Sequence, residues 1–395
     1  MKRAETTHLN SNSDRRSSRL YKAPGRVNLL GEHTDYTGGL VLPMAIPLYS
    51  TGIVKYASDN SYTFVSTLYG TKRTLGAGEL SAPLGDWSDY PVAVFYQLLD
   101  SGIKIPPFEL SLDGNIPQGA GLSSSASVEV VTAIALLRHA GADISLKELA
   151  LLCQRAENAY VGSACGIMDQ FAVAGAAAGH ALLLDTGDLS HELLPMNRGQ
   201  LADMRIVVVN STVKHSIQAG QYGLRRRELE QGQEVLRNRF PALRNLGDAN
   251  PEQLEAAHGE MSDNSYRRCR HVITENLRVR DARVAMYAGD PVALGTAISA
   301  SHVSQRDDFE CSCEEIDFLV SQASRLRGCL GARLTGGGFG GCTVNLVGAD
   351  SVSEFIQELT SDYVERFDCK PLCYVCEPIN GALQMNRLHN HTGAA

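Results

Sequence analysis

Three short segments hold most of the residues that could do chemistry. The richest in hydroxyls is Pro117-Gln118-Gly119-Ala120-Gly121-Leu122-Ser123-Ser124-Ser125-Ala126, which runs straight into the apolar stretch VEVVTAIALLRHAG. Glycines let a backbone come close to a ligand and adopt φ > 0. Hydroxyls at a helix start sit beside free N–H groups and the positive end of the dipole, a natural cradle for phosphate. A glycine turn with serine caps is the plainer reading, but three consecutive serines exceed what one cap requires. The loop lacks the GK[ST] ending of a Walker A motif. The HRD and DFG sequences of protein kinases are absent too, since Asp307-Asp308-Phe309-Glu310 is not DFG.

The second segment, Gly25 to Tyr36, packs Arg26, Asn28, Glu32, His33, Asp35 and Tyr36 around an apolar dipeptide. It is either a solvated turn or a set of donors and acceptors suited to several hydroxyls, as on a sugar. The third is a pair of carboxylates. Positions 146, 149, 150, 153 and 157 share one helical face; the first four are Leu, Leu, Ala and Cys, and the fifth is Glu157. A carboxylate on an apolar stripe is costly unless it is paired, binds a metal or reaches solvent at the rim. Asp169, in Gly166-Ile167-Met168-Asp169-Gln170, could be a simple helix cap and gains interest only beside Arg26 and a phosphate loop. A second glycine loop, Thr335-Gly336-Gly337-Gly338-Phe339-Gly340-Gly341, fits the GxGxxG spacing. The CTVNLV after it reads as a strand, whereas a dinucleotide fingerprint opens a helix. A loop that closes over a ligand or packs tightly on another domain suits these glycines better.

These segments need strands and helices to hold them. Val27 to Leu30, Gly39 to Ala57, Phe108 to Leu112, Ala181 to Asp185 and Arg205 to Asn210 read as strands. Helices are expected over Pro91 to Leu99, after the serine loop up to Gly141, and from a capping box at Ser145-x-x-Glu148. A charged helix is expected from Gln218 to Arg239, then more helices to about Arg327, strand–glycine loop–strand, a helix over 351–366 and a strand near Leu372 to Cys376. The mixture gives α+β in two domains, 19–198 and 199–385, with flexible tails at 1–18 and 386–395. At ~100–200 residues per domain, 395 residues suit that number.

Composition narrows the partners. Apolar residues make up 44% and charged residues 20%, enough for a large core. A net charge of −8 argues against a general nucleic-acid binder. No run reaches the ~18 apolar residues of a membrane span, and the N-terminal sequence has no apolar signal region. The ten cysteines are irregularly spaced, which does not suggest a disulfide-stapled secreted domain, and Cys311, Cys313, Cys373 and Cys376 read as buried structural cysteines. Cys373 and Cys376 form a CxxC on a strand, where residues three apart face opposite sides and chelate poorly. The expected compartment is the cytoplasm.

In this order, GRVNLLGEHTDY, PQGAGLSSSAS, CGIMDQF and TGGGFGGCTV resemble the galactokinases of the GHMP small-molecule kinase superfamily, as does SHVSQRDDFECSCEEID at 301–317. The resemblance covers about residues 22–378 and implies a two-domain fold. Its N-terminal domain carries a left-handed βαβ unit, and its C-terminal domain is ferredoxin-like. It implies phosphoryl transfer from ATP to the anomeric hydroxyl of D-galactose, with Mg²⁺. Gly119, Ala120, Gly121, Leu122, Ser123, Ser124 and Ser125 would bind the ATP phosphates, and Ser125 and Glu157 would hold the metal. Asp169 would be the base and Arg26 its support. Glu32, His33, Asp35, Gly166 and Tyr222 would meet the sugar, although Gly223 stands where Asn is commoner. Trp87, the single Trp, would be either an adenine contact or a core anchor. The partners implied are ATP and galactose, with a monomer expected and no nucleic acid or membrane. N-acetylgalactosamine or a pentose is the alternative substrate, and a non-catalytic sugar sensor the alternative class. The sensor reading would predict damage at the serine loop, Arg26 or Asp169, and all are intact.

Overall fold

The computed structural model describes residues 19–387 except 77, 79–80 and 215–217. The 1–18 tail and residues 388–395 of the other tail lie outside the described residues. The first part of the chain comprises β1 (Arg19–Asn28), β2 (Leu40–Val41), β3 (Pro43–Tyr56), β4 (Ser61–Ser66), β5 (Thr71–Gly76), α1 (Asp89–Asp100) and β6 (Phe108–Gly114). It continues with α2 (Ser124–Ala140), α3 (Leu146–Ala156), α4 (Met168–Gly175), β7 (His180–Asp185) and β8 (His191–Pro195). The second part comprises β9 (Met204–Lys214), α5 (Gln218–Arg239), α6 (Pro251–Ala257), α7 (Asp263–Ala288), α8 (Pro291–Ser304) and α9 (Glu314–Ala323). It closes with β10 (Cys329–Thr335), β11 (Gly340–Gly348), α10 (Val352–Phe367), β12 (Leu372–Cys376) and α11 (Ala382–Met385).

One sheet has the order β1-β3-β6-β4-β5, in which only β4 and β6 run parallel. Its buried face packs under α1, α2 and α3 in a core that includes Phe64, Phe95, Phe108, Val131 and Leu149. The β4–β5 hairpin escapes sequence reading because its apolar residues are few, with Phe64 and Leu75 facing the core while Thr63 and Thr74 pair across the outer face at 3.0 Å. The strand β8 escapes likewise. It joins β2 and β7 in a small sheet of order β2-β7-β8.

The third sheet, β10-β11-β9-β12, is antiparallel throughout. With helices between β9 and β10 and between β11 and β12, that order is ferredoxin-like. A second core bridges both parts of the chain, joining Val27, Leu30 and Met44 to Val208, Met286 and Val344.

Local signals in the sequence hold where the physics is local. Gly141 ends α2 in the left-handed region at φ 69, and Ser145 and Glu148 form both bonds of a capping box on α3. All ten cysteines are free. Cys376 packs into the core shared by both parts, while Cys373 lies against the core on the other side of the sheet. One boundary needs correction. Asn386, placed in the flexible tail, is buried and bonds the Lys22 backbone in both directions at 3.0 and 2.7 Å. Among the described residues, no helix is long and apolar enough to cross a membrane.

Candidate active site

The register of β1 against β3 shifts between Pro24 and Gly25. A Cβ at Gly25 would lie 2.8 Å from the Leu122 carbonyl oxygen, so only glycine lets the strand meet the serine loop this closely. The Arg26 N–H donates to that same carbonyl at 3.2 Å. Its guanidinium reaches Gly121 O at 2.6 Å and Asp169 Oδ1 at 2.5 and 2.7 Å. Asp169 sits in the first turn of α4, where the helix dipole favours a negative charge. Its other oxygen accepts from Ser123 Oγ at 2.5 Å. Ser123 holds φ 59, a left-handed conformation rare outside glycine and asparagine. Ser123 belongs to the loop expected to bind phosphate, and here its hydroxyl is bonded to Asp169. Ala120 and Leu122 send their side chains into the core, leaving only backbone for a ligand.

The segment after β1 is gripped from the second part of the chain. Glu32 is buried, and its Oε1 accepts from Arg333 Nη2 at 2.6 Å, Gly336 N at 2.8 Å and Thr335 Oγ1 at 3.1 Å. Arg333, fully buried, also bonds Leu29 O. From α7, Glu275 accepts from Gly31 N, Asn276 from Leu40 N, and the His271 ring meets Glu32 O at 3.1 Å. Burial opposes the Glu275 charge, but Arg278, His271 and Arg333 outweigh it and hold the carboxyl down at about 2.

His33 stacks on Phe309 at 3.9 Å, and its Nδ1 meets Tyr36 OH at 3.0 Å. Burial keeps this imidazole neutral by pushing its pKa well below the ordinary value, and Nε2 has no partner. Asp35 is partly open to the cleft. Burial, then Asp169, then Glu32 raise its carboxyl to about 7. Gly166 lies against Asp35, and a Cβ there would overlap Oδ2. The Tyr222 ring on α5 lies 5.9 Å from that of His33, close to Gly337, while Arg226 covers Tyr36. Arg26, Glu32, His33, Asp35, Gly166, Asp169 and Tyr222 thus converge on one cleft.

Glu157 lies in the helical run to Gly162 that the sequence predicts, at the point where the helix changes geometry. After α3 the chain widens into a π-turn, Glu157–Val161, ended by Gly162 at φ 81. Such turns insert a residue and are frequent at functional sites. The carboxylate is buried rather than at a solvent rim. Its Oε2 accepts from Gln170 Nε2 at 2.8 Å and from the Cys165 thiol at 3.4 Å, and the group also bonds the Ser125 hydroxyl. Burial and then Asp169 raise its pKa. Glu129 on α2 is pushed well above the carboxylate range by burial and then by Glu157, with which it also shares a direct side-chain hydrogen bond.

Ser125 and Glu157 are hard oxygen donors of the kind Mg²⁺ takes. Among the described residues, no cluster of three or more His, Cys, Asp or Glu could hold a metal. Two protein ligands fit an ion that keeps waters and substrate phosphates for the rest.

Two cavities flank the serine loop. One, about 470 Å³, is lined by Trp87, Tyr69, Tyr90, Gln118, Ser124 and Ser125. The other, about 400 Å³, lies between Gly119, Gly121, Tyr222 and the second glycine loop. That loop does pack on the first: a Cβ at Gly336 would lie 3.3 Å from the Gly121 Cα. Trp87 is half-buried, bonded through Nε1 to Thr71 and stacked near Tyr69. Sequence reasoning missed Glu129, Gln170, Arg333, Glu275 and Phe309. Gln170 adjoins Asp169 in CGIMDQF and Arg333 precedes the glycine loop, but neither carries a local signal of its contacts.

Comparison with known proteins agrees with this geometry. The GHMP kinases N terminal domain matches residues 89–176 and the GHMP kinases C terminal domain 282–365. Mevalonate kinase superposes at a TM-score of 0.65 and 19% identity, covering 92% of this chain and 100% of that one, which speaks to the fold alone. The fold and site therefore define a GHMP-type small-molecule kinase.

The galactokinase galactose-binding signature matches residues 10–56. Galactokinase from Halalkalibacterium halodurans is 39% identical over 361 residues, 91% of each chain. That from Streptomyces coelicolor is 41% identical over 347 residues, 86% of this chain and 88% of its own. The crystal structure of Lactococcus lactis galactokinase complexed with galactose superposes at a TM-score of 0.88 with 32% identity, covering 94% of this chain and 96% of that one. The chain belongs to the galactokinase family.

Proposed function

We propose that the chain transfers the γ-phosphoryl group of ATP to the anomeric hydroxyl of D-galactose, forming α-D-galactose 1-phosphate. The observation that carries this is Asp169, held by Arg26 and Ser123 where the serine loop meets the segment 31–36. Phosphoryl transfer asks mainly for positioning and charge stabilisation. Asp169 would orient the anomeric hydroxyl and accept its proton. Arg26 fixes that carboxylate and lies close enough to the serine loop to steady the transferring group. Loop amides and the start of α2 would hold the phosphates, and the cavity beside Trp87 has room for the base. Ser125 and Glu157 would hold Mg²⁺, which when bound neutralises phosphate charge. Asp35, His33 Nε2 and Tyr222 would read the sugar hydroxyls, with Glu32 fixed among its donors.

One chain holds every residue of this site, so the reading needs no second copy. Ten free cysteines suit a reducing compartment, in keeping with the cytoplasm. The test is kcat/KM for galactose and glucose, which differ only at C4. A site built to pair a hydroxyl rejects an analogue that misplaces it. Galactose should be strongly preferred, and Asp35→Ala should raise the galactose KM well before the ATP KM. Equal use of glucose would overturn the galactose assignment.

A further inference from the structure

Asp169 and Gln170 are consecutive at the start of α4, and their side chains leave the helix in different directions. Asp169 faces Arg26 and Ser123. Gln170 is fully buried, and its amide nitrogen donates to two carboxyl groups, Glu129 Oε2 at 3.0 Å and Glu157 Oε2 at 2.8 Å. An amide NH₂ carries two hydrogens, so both are spent here. We propose that Gln170, anchored by Glu129, is a positioning residue that holds the Glu157 carboxylate against the Ser125 hydroxyl for the metal. This rests on Glu157 being a metal ligand.

The chemistry suits that task. Lys or Arg in place of Gln170 would neutralise Glu157 and repel a cation. An amide orients the carboxylate and leaves its charge intact. The arrangement also carries a stability penalty, because Gln170 Oε1 is buried without a partner, while Glu129 anchors Gln170 and bonds Glu157 directly as well. Glu157 needs such support, since it stands on a π-turn rather than on a regular helix. The link ties the first turn of α4 to both the proton-accepting side of the cleft and its metal side.

The test is calorimetric titration of AMP-PNP with Mg²⁺ and with EDTA, alongside galactose titration and melting temperature. Gln170→Leu should lose about 10–100-fold of the affinity that Mg²⁺ adds, with metal-free AMP-PNP and galactose binding little changed. Glu129→Leu should show the same loss at an equal or higher melting temperature, which a purely structural role would not produce. Glu129→Gln keeps an acceptor and should retain the Mg²⁺ effect. If Gln170→Leu does not fold, Gln170→Met, which keeps the length and loses the donor, takes its place. Glu157→Gln is the reference. If it abolishes the Mg²⁺ effect while Gln170→Leu and Glu129→Leu keep it, the positioning role is overturned and the ligand reading stands. If Glu157→Gln keeps the effect as well, both fall.

Discussion

Asp35→Asn is the most informative single change at the end of the cleft proposed to hold the sugar. Burial, Asp169 and Glu32 raise the Asp35 carboxyl from 3.8 to about 7. A carboxyl whose folded pKa is raised keeps, in the folded state, a proton that the unfolded chain has already released. Its stability penalty is absent below about 4, grows as pH rises to about 7 and persists above. Between pH 5 and 8, at about 1.4 kcal/mol per pH unit, the ceiling is about 3 kcal/mol. Asp35 is partly open to the cleft, and solvent screening reduces this to about 1–2 kcal/mol. A chain of 395 residues has an unfolding entropy near 0.8 kcal/mol/K, so the effect is about 1–3 °C. Thermal melts of wild type and Asp35→Asn at pH 5 and pH 8 test it. The variant should gain about 1–3 °C on wild type in going from acid to base. Taking this difference of differences removes any pH-independent effect of the amide. Wild-type galactose affinity should rise through neutrality as the carboxylate forms, and the variant's should stay weak and flat. A melting difference that does not change with pH, or unimpaired galactose binding by the variant, would refute the reasoning.

Three further predictions concern neighbouring residues. Asp169→Asn should lower kcat by about 10²–10⁴-fold while galactose titration shows retained binding; near-normal turnover would remove it from proton transfer. Gly166→Ala places a Cβ on Asp35 Oδ2 and should raise the galactose KM while leaving the ATP KM and the melting temperature near wild type. Trp87→Ala should raise the ATP KM alone, read by steady-state kinetics with each substrate varied, if the cavity it lines receives the base.

What the sequence revealed follows the range of the forces involved. The serine loop entering α2, the Ser145 capping box and the glycine stop at Gly141 are contacts within a few residues, and all are present. The α5 range, Gln218–Arg239, agrees with its charged run. Glu157 stood out because a carboxylate broke an apolar face, but nothing in the periodicity announced the π-turn that carries it. The Gln170–Glu129 bond joins residues 41 apart, and Arg333 reaches Glu32 across 301. Contacts at that separation are made by topology, which local pattern does not encode. Asn386 was lost for the same reason: its partner Lys22 lies 364 residues away.

The grip of α7 and β10 on residues 29–40 bears on how sugar preference could change by recombination. The motif proposed to face the sugar belongs to one half of the chain. The side chains that shape its backbone, Glu275, Asn276 and Arg333, belong to the other. A crossover near residue 200 that joined halves from two differently selective kinases would import the motif without its mould. Point changes inside the cleft meet the same resistance, because a new side chain must suit a loop whose amides and carbonyls are already claimed from across the molecule. On the proposed reading, selectivity is shaped by both halves, and α7 and β10 are expected to limit what substitutions in the motif alone can achieve.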